Sequence, residues 1–247
     1  MKYEDLAWAA LCFYYRSEGD VKYVEIMSDV SFIHNIRNEP TAISCKEFEE
    51  KAILGYIKIE NYDLLMKHKL AMSLLQEITE MMPFVFQVQD LTILTADLSE
   101  SKATSVAHAA DTMFARFSAV NGLWSTGASK ILHLLNDRLF PMVTPEITEM
   151  LHLPHSGFSM SEYMKRIQYQ AATVCEDFKR SPNSCNVAEY LSEKLGYREK
   201  GCSKSLVKFI DEYYYLVTGG LPVPPVWTPG NEWTTSRTQS REAVPSN

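Results

Sequence analysis

The chain has 247 residues, with 24 Lys and Arg against 31 Asp and Glu, 46% apolar and 22% charged side chains, and a formal charge of -7 at neutral pH. That is an ordinary globular composition, long enough to bury a real core in one large domain or two small ones. With 10 glycines spread along it, it excludes collagen-like, low-complexity and Gly-rich nucleotide-loop classes. No apolar run reaches the roughly 20 residues that a membrane-spanning helix needs, and the N-terminus puts Glu4 and Asp5 where a signal peptide carries its basic segment. A cytoplasmic protein without a membrane partner is expected. Cys12, Cys45, Cys175, Cys185 and Cys202 are widely and irregularly spaced with no C-x-x-C pair, which predicts reduced thiols, no zinc and no cofactor.

Apolar spacing at Leu6, Ala9, Ala10, Phe13 and Tyr14 predicts a first helix over about 3–17. Ser44-Cys45-Lys46-Glu47 is a capping box, followed by Phe48, Ala52, Gly55 and Tyr56 on one face, so 44–60 is expected to be helical. Residues 61–82 continue at helical period and should end at Pro83, which cannot extend a helix it enters. Phe84 to Val88 then reads as a loop or a buried extended piece. The segment 99–121 carries Val106, Ala109, Ala110, Met113, Phe114 and Phe117, then breaks at 121–127 and resumes over 128–136. This is helix, tight hairpin, helix. Thr144-Pro145-Glu146 is a helix start, with Thr144 as N-cap and Pro145 where its missing N–H costs nothing. Ser159-Met160-Ser161-Glu162 is a second capping box before 163–179. Asn186 opens a helix before 190–195, and a last helix covers about 203–217, ended by Gly219-Gly220. Residues 221–247 are rich in Pro, Ser and Thr without periodicity and read as a disordered tail or extended arm. The expected fold is all-α, a helical domain over 1–220 with a tail over 221–247.

The informative stretch runs from Phe117 through Asn121-Gly122-Leu123-Trp124-Ser125-Thr126-Gly127-Ala128 and Lys130 to Leu139-Phe140-Pro141-Met142 and Thr144-Pro145-Glu146. Over about 100–150 it resembles the helix-hairpin-helix DNA glycosylase superfamily, and in its Ala128-to-Leu134 and Leu139-to-Met142 segments it looks like little-characterised prokaryotic relatives. The resemblance implies a hairpin over about 113–136 that binds DNA, a pocket for a nucleobase drawn out of the stack, and a catalytic Asp capping a later helix. Thr144 falls sixteen residues after Ala128, where that Asp is expected. It keeps the capping role but brings no negative charge. The lyase lysine of the superfamily would fall at Thr126, with Lys130 a turn further on, and Trp124 replaces the second hairpin glycine. Catalysis in such a chain would therefore run through a non-standard or inactivated site.

Backbone N–H groups at a hairpin tip, aided by a helix dipole, make a phosphate site without base-specific side chains. Asn121, Gly122, Leu123, Trp124, Ser125 and Gly127 are the candidate DNA-binding residues. Trp124 is expected as a packing anchor before a base-stacking wedge. For catalysis the candidates are Thr144, Glu146 as a displaced carboxylate, and Lys130, a cation near a helix start that calls for a reason beyond solvation. His133 reads as a half-buried histidine, and His152-Leu153-Pro154-His155 as no metal pair, since Pro154 keeps the two rings off one helical face. The tyrosine run 213–215 and Phe13-Tyr14-Tyr15 are expected to close a core. The partner implied is DNA or another nucleobase-containing substrate. The alternative is a catalytically silent module that binds through the same cleft, or captures a protein through the proline-rich tail.

Overall fold

The computed structural model describes residues 1–16, 18–57, 64–99, 102–154, 158–179 and 186–219, so the expected tail lies outside the described residues. All regular structure among them is helical: α1 (Tyr3–Arg16), α2 (Glu18–Ser28), α3 (Val30–Asn38), α4 (Cys45–Phe48) running straight into a π-helical segment (Glu49–Ile57), α5 (Leu64–Val88), α6 (Val106–Ser118), α7 (Trp124–Leu135), α8 (Pro145–Met150), α9 (Met160–Lys179), α10 (Val187–Lys194) and α11 (Leu206–Thr218). The all-α expectation therefore holds for these residues.

Five predicted caps form as hydrogen bonds. Ser44 Oγ accepts from Glu47 N–H, Thr144 Oγ1 from Ile147 N–H, Ser159 Oγ from Glu162 N–H, and Asn186 Oδ1 from Ala188 N–H, while the chain reaches Gly219 as the C-cap of α11. The start of α11 was misplaced. Ser205, whose hydroxyl accepts from Lys208 N–H, caps it three residues later than expected. Helices α2 and α3 were not foreseen, because each buries only two apolar side chains fully (Tyr23 and Ile26, Phe32 and Ile36) and shows no long stripe. Asp29 caps α3 through Phe32 N–H.

Pro83 does not end α5. The helix runs on to Val88 with Pro83 on its exposed face, because Ile78, Met81, Met82, Val85 and Val88 continue one buried stripe against α6. Tertiary burial outweighs the missing hydrogen bond. Phe84 to Val88 are accordingly helical rather than a loop.

Helices α5, α7 and α9 pack around α6, and α11 lies against α1, α8 and α9. One continuous apolar core reaches from Leu6 to Tyr214. Phe13, a member of the expected aromatic closures, sits in a small satellite cluster with Ala9 and Leu216, whereas Tyr15 and Tyr215 are exposed.

The segment 136–144 crosses from α7 to α8 through one turn, in which Leu139 and Phe140 N–H donate to Asn136 O, and side chains satisfy much of the remainder. Asn136 Nδ2 donates to the carbonyls of Val88 (2.8 Å) and Leu91 (3.0 Å), which also closes the end of α5. Ser205 Oγ donates to Asp137 O (2.7 Å), His133 Nδ1 to Phe140 O (2.6 Å) and Tyr163 Oη to Met142 O (2.9 Å). Met142 N–H donates to Asp211 Oδ2 (3.0 Å) and Val143 N–H to Ser129 Oγ (2.9 Å). This strap is what delivers Thr144 to the start of α8.

Beneath it lies a buried ionic network. Lys204, 1% exposed, bonds Asp20, Glu212 Oε1 (2.6 Å) and Tyr197 Oη (2.7 Å), and Lys208 reaches the same Glu212 oxygen at 3.3 Å. Removing one partner of such a network strands the others without water. Lys204→Met should cost about 3–5 kcal/mol in urea denaturation, and Asp20→Asn added to it should recover part of that loss; a cost below about 1 kcal/mol would refute the coupling.

Candidate functional site

The α6–α7 hairpin carries the expected residues at its tip and along the first two turns of α7. At the tip Gly122 has φ 89° and Trp124 φ 52°, both in the left-handed region. Glycine adopts that conformation freely, whereas for a tryptophan it costs about 1–2 kcal/mol. Trp124 is moreover 74% exposed, so it is not the packing anchor expected of it. Asn121 is exposed beside it.

Two of the expected backbone donors are already spent. Leu123 N–H donates to Val120 O (3.1 Å) and Gly127 N–H to Leu123 O (3.2 Å), so neither serves a phosphate. Gly127 has a packing role instead: a Cβ there would lie 2.6 Å from Leu123 Cδ1, and Leu123 is buried. The helix itself begins at Trp124, four residues before the predicted 128. Its first N–H groups, at Trp124, Ser125 and Thr126, have no acceptor within the helix, and Leu123 offers no side-chain cap. Ala128 is fully buried.

Beside the first two turns of α7 opens a cavity of about 270 Å³. Its walls are aromatic (Phe13, Tyr23, Tyr56, Tyr215) and apolar (Met142, Val143, Ile147), and its polar lining is Lys22, Thr126, Lys130, Thr144, Lys208, Asp211 and Glu212. Two of the three expected catalytic residues thus line one cavity. Thr144 is half-buried there while its hydroxyl caps α8 at 3.4 Å from Ile147 N. Lys130 lines it too, but its Nζ also bonds the carbonyls of Ile57 (3.2 Å) and Tyr56 (3.4 Å). It closes the last turn of the π-helical segment, where a cation complements the helix dipole, which is the further reason its position called for.

Glu146 is not brought to the cavity. It is exposed, and a hydrogen bond with the Thr144 side chain and its own backbone N–H hold its carboxyl below the usual range. It is a first-turn acid complementing the dipole.

The polar residues that sequence reasoning missed are on α11. Lys208, Asp211 and Glu212, spaced i, i+3 and i+4, interrupt the apolar run Leu206-Val207-Lys208-Phe209-Ile210-Asp211-Glu212-Tyr213 on one buried face. Charges on the core side of a helix were the available signal. Asp211 is 4% exposed and Glu212 1%. Asp211 Oδ1, Glu212 Oε2 and Tyr23 Oη, all of residues lining the cavity, are buried without a hydrogen-bond partner among the described residues. Burial pushes the Asp211 carboxyl well above the usual carboxylate range, partly offset by the Met142 N–H. It likewise pushes the Tyr23 hydroxyl up.

His133 is fully rather than half-buried. Burial lowers it to about 4, so it is neutral, with the proton on Nδ1 facing Phe140 O. Among the described residues no group of three or more His, Cys, Asp or Glu is placed to hold a metal; His155, of the expected non-pair with His152, lies outside them. Cys45, Cys175 and Cys202 are free thiols, and Cys185 lies outside the described residues. Cys45 Sγ lies 3.5 Å from His68 Nδ1, yet the same nitrogen sits 3.2 Å from Glu49 Oε2. Thiol and carboxylate compete for one ring atom, and burial with the Glu49 charge pushes the thiol up, so this is no activated nucleophile.

Among known proteins, no family model, no curated protein and no solved structure matches the chain.

Two predictions follow from this geometry. Replacing Trp124 by Gly relieves the left-handed strain and removes no buried contact, so the melting temperature should hold or rise, whereas Trp124→Val should cost about 1 kcal/mol or more; a loss on Trp124→Gly comparable to that of the valine would contradict the strain. For His133 the folded state binds its proton only near pH 4, while the unfolded chain binds it near pH 6.5. Its contribution to stability is complete above about 6.5 and is lost as pH falls from there towards 4. His133→Gln should therefore destabilise by about 1–3 kcal/mol at pH 7.5, and the gap to the unaltered protein should narrow steadily when urea curves are repeated down to pH 4.5.

Proposed function

We propose that the chain is a helix-hairpin-helix DNA glycosylase-like protein that engages DNA through the hairpin tip and takes a nucleobase into the cavity beside the first two turns of α7, where an N-glycosidic bond is cleaved. The observation that carries this reading is the placement of an aromatic-walled, polar-edged cavity directly behind a hairpin with two left-handed residues, with Thr144 and Lys130 on the wall. Enzymes that act on a base must lift it from the stack and hold it between aromatic faces while polar groups read its edge. Phe13, Tyr23, Tyr56 and Tyr215 supply faces, and Tyr23, Asp211 and Glu212 supply polar edges. The volume is close to the roughly 300 Å³ at which small-molecule sites begin, which suits a single heterocycle and not a whole nucleotide.

The residues divide by role. Trp124, Ser125 and Thr126 present first-turn N–H groups to a phosphate, and the exposed indole of Trp124 stacks on or wedges beside a base. Thr144 fixes the cavity wall as the cap of α8. Lys130 holds the Tyr56 carbonyl, and with it an aromatic wall, in place.

The test is base release from a panel of normal and modified oligonucleotides, run on the unaltered chain and on Thr144→Asp, beside DNA binding by Trp124→Gly at two salt concentrations. The expected result is release by the unaltered chain from at least one probe, and at least tenfold weaker binding by Trp124→Gly, in line with about 1–3 kcal/mol for one stacked base. Release by Thr144→Asp alone would make the natural chain a base-binding scaffold without catalysis. Silence of both, with no DNA binding, would replace this reading with a module that binds through the cavity or the 221–247 segment.

A further inference from the structure

Asp211 is the one acid of the cavity that the ionic network leaves out. Glu212 spends Oε1 on Lys204 and Lys208, and Asp20 is bonded by Lys204 and Tyr197. Asp211 has none of these. Among the described residues its basic neighbour at ion-pair range is His133, with Nδ1 4.0 Å from Oδ2, and that ring is neutral. Its Oδ2 accepts Met142 N–H (3.0 Å), and its Oδ1 is buried with no partner among the described residues.

The groups that face it from the surrounding elements do not neutralise a charge there. From the π-helical segment Tyr56 Oη donates to Met142 Sδ, and from α9 Tyr163 Oη donates to Met142 O. On its own helix Lys208 favours the charged form, but Lys208 Nζ lies on Glu212, whose own charge opposes it. A carboxyl taken out of water without a cation is cheaper neutral than charged. With Oδ2 already accepting a backbone N–H, the proton belongs on Oδ1.

We propose that Asp211 donates a hydrogen bond from Oδ1 to an unprotonated ring nitrogen of the base held in the cavity, and hands that proton over as the base leaves. This assignment rests on the glycosylase reading above and deepens it, because it names the substrate class: bases that depart as neutral molecules only when protonated. In the step, the bond between C1′ of the sugar and the base nitrogen breaks and its electron pair goes to the base, while the Oδ1 proton passes to the base ring. Water adds to C1′ and returns one proton to the Asp211 carboxylate, so that the products are a free base and a sugar hydroxyl. A base that is already cationic in the nucleic acid needs no such donor.

Two variants separate this role from support of the strap. Asp211→Asn keeps an oxygen for Met142 N–H and a donor towards the cavity but has no proton to give. Asp211→Leu keeps the size and loses both. The probes are oligonucleotides carrying one adenine, one hypoxanthine or one 7-methylguanine, the last cationic as it stands. Asp211→Asn is expected to slow release of adenine or hypoxanthine at least 100-fold, within the range of general acid catalysis, and 7-methylguanine less than fivefold. In the unaltered chain release of the neutral bases should fall as pH rises, while release of 7-methylguanine stays flat. Equal losses on neutral and cationic bases, or none on either, overturn the role of Asp211 and leave the glycosylase reading standing. If no oligonucleotide loses a base, that reading has failed and the proton transfer fails with it. Calorimetry with free adenine then decides the hydrogen bond: binding within threefold in Asp211→Asn and at least tenfold weaker in Asp211→Leu sustains it, and any other pattern overturns it.

Discussion

The bond from Met142 N–H to Asp211 Oδ2 ties the chemistry of this protein to its architecture. The chain between α7 and α8 closes one backbone turn on Asn136 O, and the polar backbone groups beyond that turn have to be met by side chains or be left dry at a cost of about 1–3 kcal/mol each. Asp211 meets the amide in the middle of that strap, Tyr163 meets the carbonyl of the same residue, and Ser129 holds the next amide. Those three side chains come from α11, α9 and α7. The start of α8, and the Thr144 cap with it, is therefore positioned by three helices at once, and the wall of the cavity inherits their rigidity. The same bond leaves Asp211 with one oxygen committed and one free.

The polar groups below the cavity are an expensive way to build a core. Apolar residues of like size in place of Lys204, Glu212 and Asp20 would cost no desolvation, and a buried ion pair rarely improves on them. What the network achieves is selectivity among its acids. By taking up Asp20 and one oxygen of Glu212, Lys204 and Lys208 are held away from Asp211, so the carboxyl on the same helix face stays without a counter-ion. Four aromatic rings crowd these lysines, Tyr197 at 4.1 Å from Lys204 Nζ and Tyr23 at 4.8 Å from Lys208 Nζ among them, which helps keep the two cations where they are.

Much of the fold was legible in residue types, because caps act locally. Ser44, Thr144, Ser159 and Asn186 each announce a helix start whatever surrounds them, and each forms the bond expected of it. The failures are places where distant contacts decide. Pro83 looked like a stop and is not one, since the stripe through Val85 and Val88 is buried against α6. Helices α2 and α3 are short and each buries only two apolar side chains, so neither shows a long stripe. The hairpin tip was half legible: its position followed from Gly122, but the sequence could not reveal that Leu123 and Gly127 spend their amides on the carbonyls of Val120 and Leu123, or that Trp124 takes up a glycine-like conformation in the open. Lys130 was singled out for the right anomaly, a cation near a helix start, and the reason turned out to be the carbonyl end of a neighbouring π-helical segment 73 residues away in sequence. Asp211 was missed because Lys208, Asp211 and Glu212 together read as the solvated face of an aromatic-rich helix until the fold shows that face buried.

On the proposed function, the replacement of an acid by Thr144 changes the kind of chemistry and not merely its strength. A carboxylate at a helix N-cap is kept ionised by the N–H groups and dipole it faces, which suits it to stabilise a developing positive charge on a sugar. Thr144 retains the capping half of that task alone. The acid of this cavity sits instead on α11, enclosed by apolar walls and facing one backbone amide, an environment that favours the neutral form. Such a group stabilises a cation poorly but can donate a proton to a leaving group. Capping and acid chemistry, which one residue could combine, are then divided between two helices, and the strap from Asn136 to Thr144, pinned at Met142 by the acid itself, is what keeps the two parts in register.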